Sequence, residues 1–337
     1  VPTTDPVRWG VLATGAIAHA FVRDLLVTPG AELVAVGSRR ADAAADFARE
    51  HARDGVAARA HGSYEELVAD PAVEIVYVAT PHALHLDNAR LALEAGKHVL
   101  CEKPLTLSSR DAEELVALAA QHGRFLMEAM WTATHPLVRG LLAGLREGRF
   151  GTPRQVHADL GFRVDADPSS RMLDPALGAG ALLDMGIYPL TFAHLVLGEA
   201  ERLTATGDVR TAPGGSFDMD VAIAGRYPGG AVAALTASMS SWSPGTATVA
   251  TDLGRIDVDL VFRPGEITFT PHDGAPVVVE GTEPLVGQGY GNEILEAGRC
   301  VREGLLESPL VPHAQTLAIL RQMDEVRRQL GVVYPHG

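Results

Sequence analysis

Cysteine is scarce: Cys101 and Cys300 are the only two in 337 residues, with no C-x-x-C pair and no Cys/His group at metal-ligand spacing. That excludes a disulfide-stapled scaffold and points to a reducing, cytoplasmic setting with no metal. Basic residues are in deficit, 28 Lys and Arg against 42 Asp and Glu, for a formal net charge of −14. Nucleic acid and anionic membrane surfaces both need a basic footprint, so a small molecule is the expected partner. Aromatic residues make up only 5%, which disfavours a pocket walled entirely by rings. No apolar run of membrane-spanning length, signal peptide, repeat or low-complexity tract stands out, although a chain that begins at Val1 leaves room for a removed leader. What is abundant is glycine, 35 residues, and hydrophobic residues, 47%, over a length that suits two ordinary domains.

The first part alternates strand and helix patterns as an open parallel sheet with crossover helices requires. Strands are expected at 8–13, 32–38, 73–80, 97–104 and 124–131. Helices are expected at 17–28, 40–52, 64–70, 85–96, with Gly96 as C-cap, and 110–123, with Ser108 as N-cap. Beyond Trp131 a helix (135–148), a strand (154–164) and a helix (181–198) precede seven short alternating strands between Arg202 and Glu280, and two helices end the chain. The expected fold is therefore an α/β Rossmann domain, 1–131, followed by an α+β domain, 132–337, on a large open, mostly antiparallel sheet. The last helix could pack back on the first domain.

The first strand runs into Ala13-Thr14-Gly15-Ala16-Ile17-Ala18. Against the dinucleotide fingerprint G-x-G-x-x-G/A, Ala13 replaces the first glycine, Gly15 stands where backbone must approach a pyrophosphate, and Ala18 takes the close-packing position. An ordinary strand-to-helix turn is the competing reading. About 20 residues on, where NAD sites place a carboxylate, the chain has Ser38-Arg39-Arg40. An arginine there can pair with a 2′-phosphate, so NADP is favoured over NAD; a solvated arginine pair is the alternative.

The stretch from Ala79 to Leu105, ATPHALHLDNARLALEAGKHVLCEKPL, resembles the long signature of the Gfo/Idh/MocA oxidoreductases. EAMWTATHP (128–136), GAGALLDMGIYP (178–189) and GVVYP (331–335) are similar to its subgroup of dimeric dihydrodiol dehydrogenases and NADP-dependent D-xylose dehydrogenases. The resemblance implies a homo-oligomer assembled through the C-terminal sheet. It also implies that Lys103 of the E-K-P motif meets the reacting oxygen, and that Glu102 holds the cofactor's ribose or nicotinamide end. Pro104 would shape the backbone, through a cis bond in one version of that expectation. Burial and a neighbouring cation both favour a lysine's neutral, proton-accepting form.

Asp184 and Tyr188 form a second pair, spaced i,i+4. Much of the family carries histidine where this chain has Tyr188, a phenol that can share the proton work with Lys103 while Asp184 orients one of them. Pro189 requires that the helix either start near Tyr188 or bend there. Thr80, Pro81 and His85 lie at the carboxyl edge of the third expected strand, in reach of a cofactor. His82, Trp131, Phe162 and Arg171 are candidate substrate contacts. The reaction implied is hydride transfer between a nicotinamide and a secondary alcohol or hemiacetal carbon of a sugar or cyclic vicinal diol. An NAD-using glycosidase with transient sugar oxidation and a non-catalytic dinucleotide-binding regulator are the alternatives, the second weakened by the presence of Lys103 and Tyr188.

Overall fold

The computed structural model describes residues 5–165 and 170–335. Its first sheet has six strands: β1 (Val7–Leu12), β2 (Ala31–Gly37), β3 (Arg59–His61), β4 (Ile75–Val78), β5 (His98–Glu102) and β6 (Leu126–Ala129). They lie in the order β3-β2-β1-β4-β5-β6, and every pairing is parallel. Such strands are covered on both faces, which is why the four residues of β4, IVYV, are all buried. The crossovers hold α1 (Ala16–Leu25), α2 (Ala41–Glu50), α3 (Tyr64–Ala69), α4 (His85–Glu94) and α5 (Ser109–His122). Phe21 of α1 stacks on Tyr77 of β4 with centroids 3.6 Å apart, so helix and sheet share one core. The three-residue β3 is too short to show a period and was not expected. Trp131 does not end the last strand: β6 stops at Ala129, and Trp131 opens a short helix, α6 (Trp131–Thr134).

Beyond α6 come α7 (Pro136–Arg146), β7 (Pro153–Gly161), α8 (Ile187–Leu197) and seven further strands, β8 (Arg202–Ala212), β9 (Gly215–Arg226), β10 (Val232–Ser238), β11 (Ala247–Thr251), β12 (Gly254–Val258), β13 (Ile267–Pro271) and β14 (Val277–Val278). These form an eight-stranded sheet, β14-β13-β12-β11-β7-β10-β9-β8. Its one parallel pairing among the described residues is β7 with β10. Buried and exposed residues alternate along β10, as a sheet with one covered face requires. The chain closes with α9 (Tyr290–Glu303) and α10 (His313–Leu330).

Among the described residues, one compact unit takes those up to Thr106 with Arg110–Trp131 and Leu285–Thr316; the other takes Leu107–Ser109, Thr132–Pro284 and those from Leu317 on. This departs from a plain division into 1–131 and 132–337. The segment 285–316 returns to the first unit because the Rossmann sheet and α1 offer it partners. Asp24 accepts from the N–H groups of Gln288 and Tyr290, Leu126 N–H of the edge strand donates to Leu306 O, and His313 Nε2 bonds Leu126 O. It is therefore α9 that belongs with the Rossmann unit, and most of the last helix belongs with the second unit.

Residues Pro175–Leu197 are long and apolar enough to cross a membrane by length and composition, contrary to the expectation that no such run exists. The segment comprises a 3-10 turn, Pro175–Leu177, and the helical stretch that starts at Ala181, and 72% of its most apolar window is buried.

Candidate active site

The candidate site residues divide between the two units. In the Rossmann unit, α1 starts at Ala16 with Gly15 as N-cap, no side chain capping it and no acid in its first turn. Its leading N–H groups are therefore available to an anion, supported by the helix dipole. Gly15 is exposed, and a Cβ there would meet nothing within 4 Å, so a ligand can come close to the backbone. Thr14, Ala16 and Ile17 flank it, none of them buried, while Ala18 is fully buried against the sheet. Ala13 holds φ +86°, a left-handed conformation that glycine adopts freely and alanine does not.

At the end of β2, Ser38 Oγ accepts from the N–H of Arg40. Arg39 is exposed and lies beside the hydroxyl of Tyr64. Arg40 is not a second unencumbered cation. Its guanidinium pairs with both oxygens of Asp42, at 3.1 and 2.6 Å, and holds that carboxyl below its ordinary range. Asp42, two residues on in α2, is thus a carboxylate within reach of the Arg40 guanidinium.

The E-K-P turn is clamped from three sides. Glu102, at the buried end of β5, accepts from Tyr77 Oη at 2.5 Å and from the N–H of Lys103 at 3.2 Å. His85 is fully buried, with Nδ1 at 2.7 Å from Pro104 O and Nε2 at 2.9 Å from Thr80 O. Both partners are carbonyls that only accept, so two full hydrogen bonds require both ring nitrogens to donate. His85 thus ties the segment just after β4 to the turn. Glu128 of β6, unnoticed in the sequence, accepts from the N–H of Leu105 at 3.0 Å and from Thr316 Oγ1 at 3.0 Å. Lys103 precedes a cis peptide bond to Pro104 and is half-buried, between neighbours that are buried. The backbone carrying its amine is fixed before any ligand arrives.

Around it, Thr80 Oγ1 accepts from Asn88, and Pro81 leads into a 3-10 turn, His82–Leu84. His82 is buried, with its ring 5.7 Å from that of His85. Trp131 stacks on Tyr290 at 4.3 Å. Glu293 of α9 is fully buried, and burial together with Glu102 pushes its carboxyl well up. Tyr290 and Glu293 escaped sequence reasoning because nothing local marks 285–316 as part of this unit.

In the second unit the predicted helix is continuous from Ala181, but its first stretch, Leu182–Gly186, is a π-helical turn that leads into α8. Pro189 is the third residue of α8. The wider turn upstream accommodates the bond that a proline cannot donate. Asp184 sits in this turn and is only half-buried, whereas Tyr188 is 8% exposed. The turn is held by Asp218 of β9, fully buried, whose Oδ2 accepts from Leu182 N–H at 2.6 Å. Burial raises Asp218 to about 6. Tyr334 of the C-terminal motif donates to Ala179 O at 2.5 Å. Gly180, at φ +139°, lies beneath both: a Cβ there would come within 2.7 Å of Asp218 Oδ1 and 2.9 Å of Tyr334 Oη.

A run of rings starts beside Tyr188. Phe262 lies 5.7 Å from its ring, Phe162 is 6.2 Å from Phe262, and the exposed Trp242 is 5.5 Å from Phe162. Arg171 opens a 3-10 turn, Arg171–Leu173, and is exposed.

The oxidoreductase family with an NAD-binding Rossmann fold matches residues 7–130, and the C-terminal domain of the same family matches 138–257. The chain belongs to the Gfo/Idh/MocA oxidoreductase family. It is 34% identical to the trans-1,2-dihydrobenzene-1,2-diol dehydrogenase of Mus musculus, over 98% of both chains. It is 36% identical to the D-xylose 1-dehydrogenase (NADP(+)) of Hypocrea jecorina, over 98% of this chain and 93% of that one. Among solved structures it is similar to a 3-ketoreductase of Actinomadura kijaniata in complex with NADP and TDP-benzene, with a TM-score of 0.81 and 27% identity over 97% and 98% of the two chains. This Gfo/Idh/MocA member is thus an NAD(P)-dependent oxidoreductase, and its Rossmann unit and mostly antiparallel second sheet have the expected fold.

Proposed function

We propose that the protein is an NADP-dependent dehydrogenase of a secondary alcohol or hemiacetal carbon, in a sugar or a cyclic vicinal diol. The observation that carries this reading is the turn around Lys103, where Glu102, His85 and Glu128 fix consecutive backbone groups and leave one amine at the carboxyl edge of a dinucleotide sheet. Such preorganisation suits a residue that must meet a reacting oxygen. Gly15, Thr14, Ala16 and Ile17 would hold the pyrophosphate, and Ser38 with Arg39 the 2′-phosphate; Arg40 contributes less because Asp42 competes for it. Thr80, Pro81, His85 and Glu102 would shape the nicotinamide side. When bound, the nicotinamide accepts or returns the hydride.

In oxidation, Lys103 and Tyr188 take the hydroxyl proton; in reduction the same pair returns it, with Asp184 orienting one of them. His82, Trp131, Phe162 and Arg171 would contact substrate. Rings beside Tyr188 offer apolar faces to the C–H surface of a sugar or diol. The relatives' names span these two classes, and the ketoreductase has been solved with a lysine replaced and with a tyrosine replaced, the residue types at 103 and 188 here. The sheet face with Thr204, Thr206, Ala222, Ala224, Ala234 and Thr236 lines a shallow depression of about 550 Å³. None of the proposed catalytic residues lies there, and its small side chains suit self-association.

The test is an absorbance screen for NADPH formation with aldoses and cyclic trans-diols, with NAD in parallel. NADPH from either substrate class supports the proposal. No reduced cofactor with either class, together with aglycone release from glycosides, would replace it with the glycosidase reading.

A further inference from the structure

We propose that the Rossmann unit carries a divalent transition-metal site built from His19 of α1 and from Glu50 and His51 at the end of α2. His19 Nδ1 lies 2.9 Å from His51 Nε2 and 3.3 Å from Glu50 Oε1. One ligand atom from each residue lies within 4.8 Å of the other two. Imidazole nitrogens bind zinc at about 2.0–2.1 Å and carboxylate oxygens at about 2.0–2.2 Å, so two nitrogens on one ion stand roughly 3 Å apart. The observed separations need little adjustment to reach that arrangement.

The rings are oriented by packing. Phe47 of α2 lies 4.4 Å from the His19 ring and 4.6 Å from the His51 ring, and the two imidazoles are 5.0 Å apart. His51 is 7% exposed, whereas the side chains of His19 and Glu50 are 28% and 62% exposed. An ion can therefore enter from solvent, and water can complete its coordination. Two imidazoles and one carboxylate suit Zn²⁺, Co²⁺, Ni²⁺ or Cu²⁺; Mg²⁺ and Ca²⁺ prefer all-oxygen sets. Sequence spacing gave no hint, because His19 is 31 positions from Glu50 and the fold alone joins them.

The ion would staple α1 to α2, the helices that follow the Gly15 loop and the Ser38-Arg39-Arg40 segment. His19 itself donates its N–H to Gly15 O. The site contains none of the residues proposed for catalysis. The same geometry also serves as a His–His hydrogen bond flanked by a carboxylate, and the experiment separates the two.

Full-length protein stripped with a chelator is titrated with Zn²⁺ by calorimetry and with Co²⁺ by visible absorption, and its Tm is followed with and without Zn²⁺. The expected result is one Zn²⁺ per chain with micromolar affinity, a Co²⁺ spectrum with nitrogen ligation, and a Tm raised by several degrees. Glu50→Gln should weaken Zn²⁺ by about 10-fold and His19→Ala by about 100-fold. In chelator Glu50→Gln should keep the wild-type Tm, since Glu50 is exposed, whereas His19→Ala also removes the hydrogen-bond partner of buried His51 and is read by its Zn²⁺ affinity alone. Affinity no better than about 1 mM, or equal affinity in wild type and both variants, would overturn the site.

Discussion

Ala13 shows what the phosphate loop costs. It stands at φ +86° where the dinucleotide fingerprint has glycine, and a left-handed alanine carries roughly 1–2 kcal/mol of strain. Ala13→Gly relieves that strain but loosens the unfolded chain, so a net gain of roughly 0.5–1 kcal/mol is expected in the denaturant midpoint; a loss would show that the alanine methyl packs better than its backbone suggests. Arg39→Ala should weaken NADP by at least about 10-fold and NAD hardly at all, because only NADP carries the phosphate that a guanidinium pairs with. Equal losses in a fluorescence titration would remove Arg39 from cofactor choice. Lys103, Glu102 and Arg39 stand out in the sequence as candidates because each sits in a motif or at a fixed distance from one. His85 and Glu128 were not legible as clamps, since their partners lie 19 and 23 residues away and are reached only through the register of β4, β5 and β6.

The decisive element is the π turn and α8. The helical pattern, the Asp184 and Tyr188 pair and the disturbance at Pro189 were all visible in the sequence; the wider turn that absorbs the proline was not. Nor was Asp218, 36 residues from the N–H that it holds. Its carboxyl is raised from 3.8 to about 6 by burial, so the folded protein binds that proton more tightly than the unfolded chain does. The resulting stability is fully present below pH 3.8 and is lost as pH rises through about 6. Asp218→Asn keeps an acceptor for Leu182 N–H and cannot ionise. Relative to wild type, its stability should therefore improve by up to roughly 3 kcal/mol between pH 4 and pH 7. Denaturation curves across that range check this, and a pH-independent difference would mean that Asp218 stays ionised throughout.

For the whole molecule, strand and helix periodicity gave the fold class and located all eight strands of the second sheet. The return of 285–316 to the Rossmann unit was invisible, because the contacts of Asp24 with Gln288 and Tyr290 span more than 260 positions. Nor does composition, which averages over the chain, show that packing joins Phe162, Trp242 and Phe262 in a run that starts beside Tyr188. The central claim is that a fixed lysine moves the substrate proton in an NADP-dependent oxidation. It is tested most directly by Lys103→Met, measured for NADP affinity by fluorescence and for NADPH formation with the best substrate from the screen. The account predicts affinity within about threefold of wild type and turnover lowered by at least about 100-fold; near-normal turnover at normal NADP affinity would contradict it.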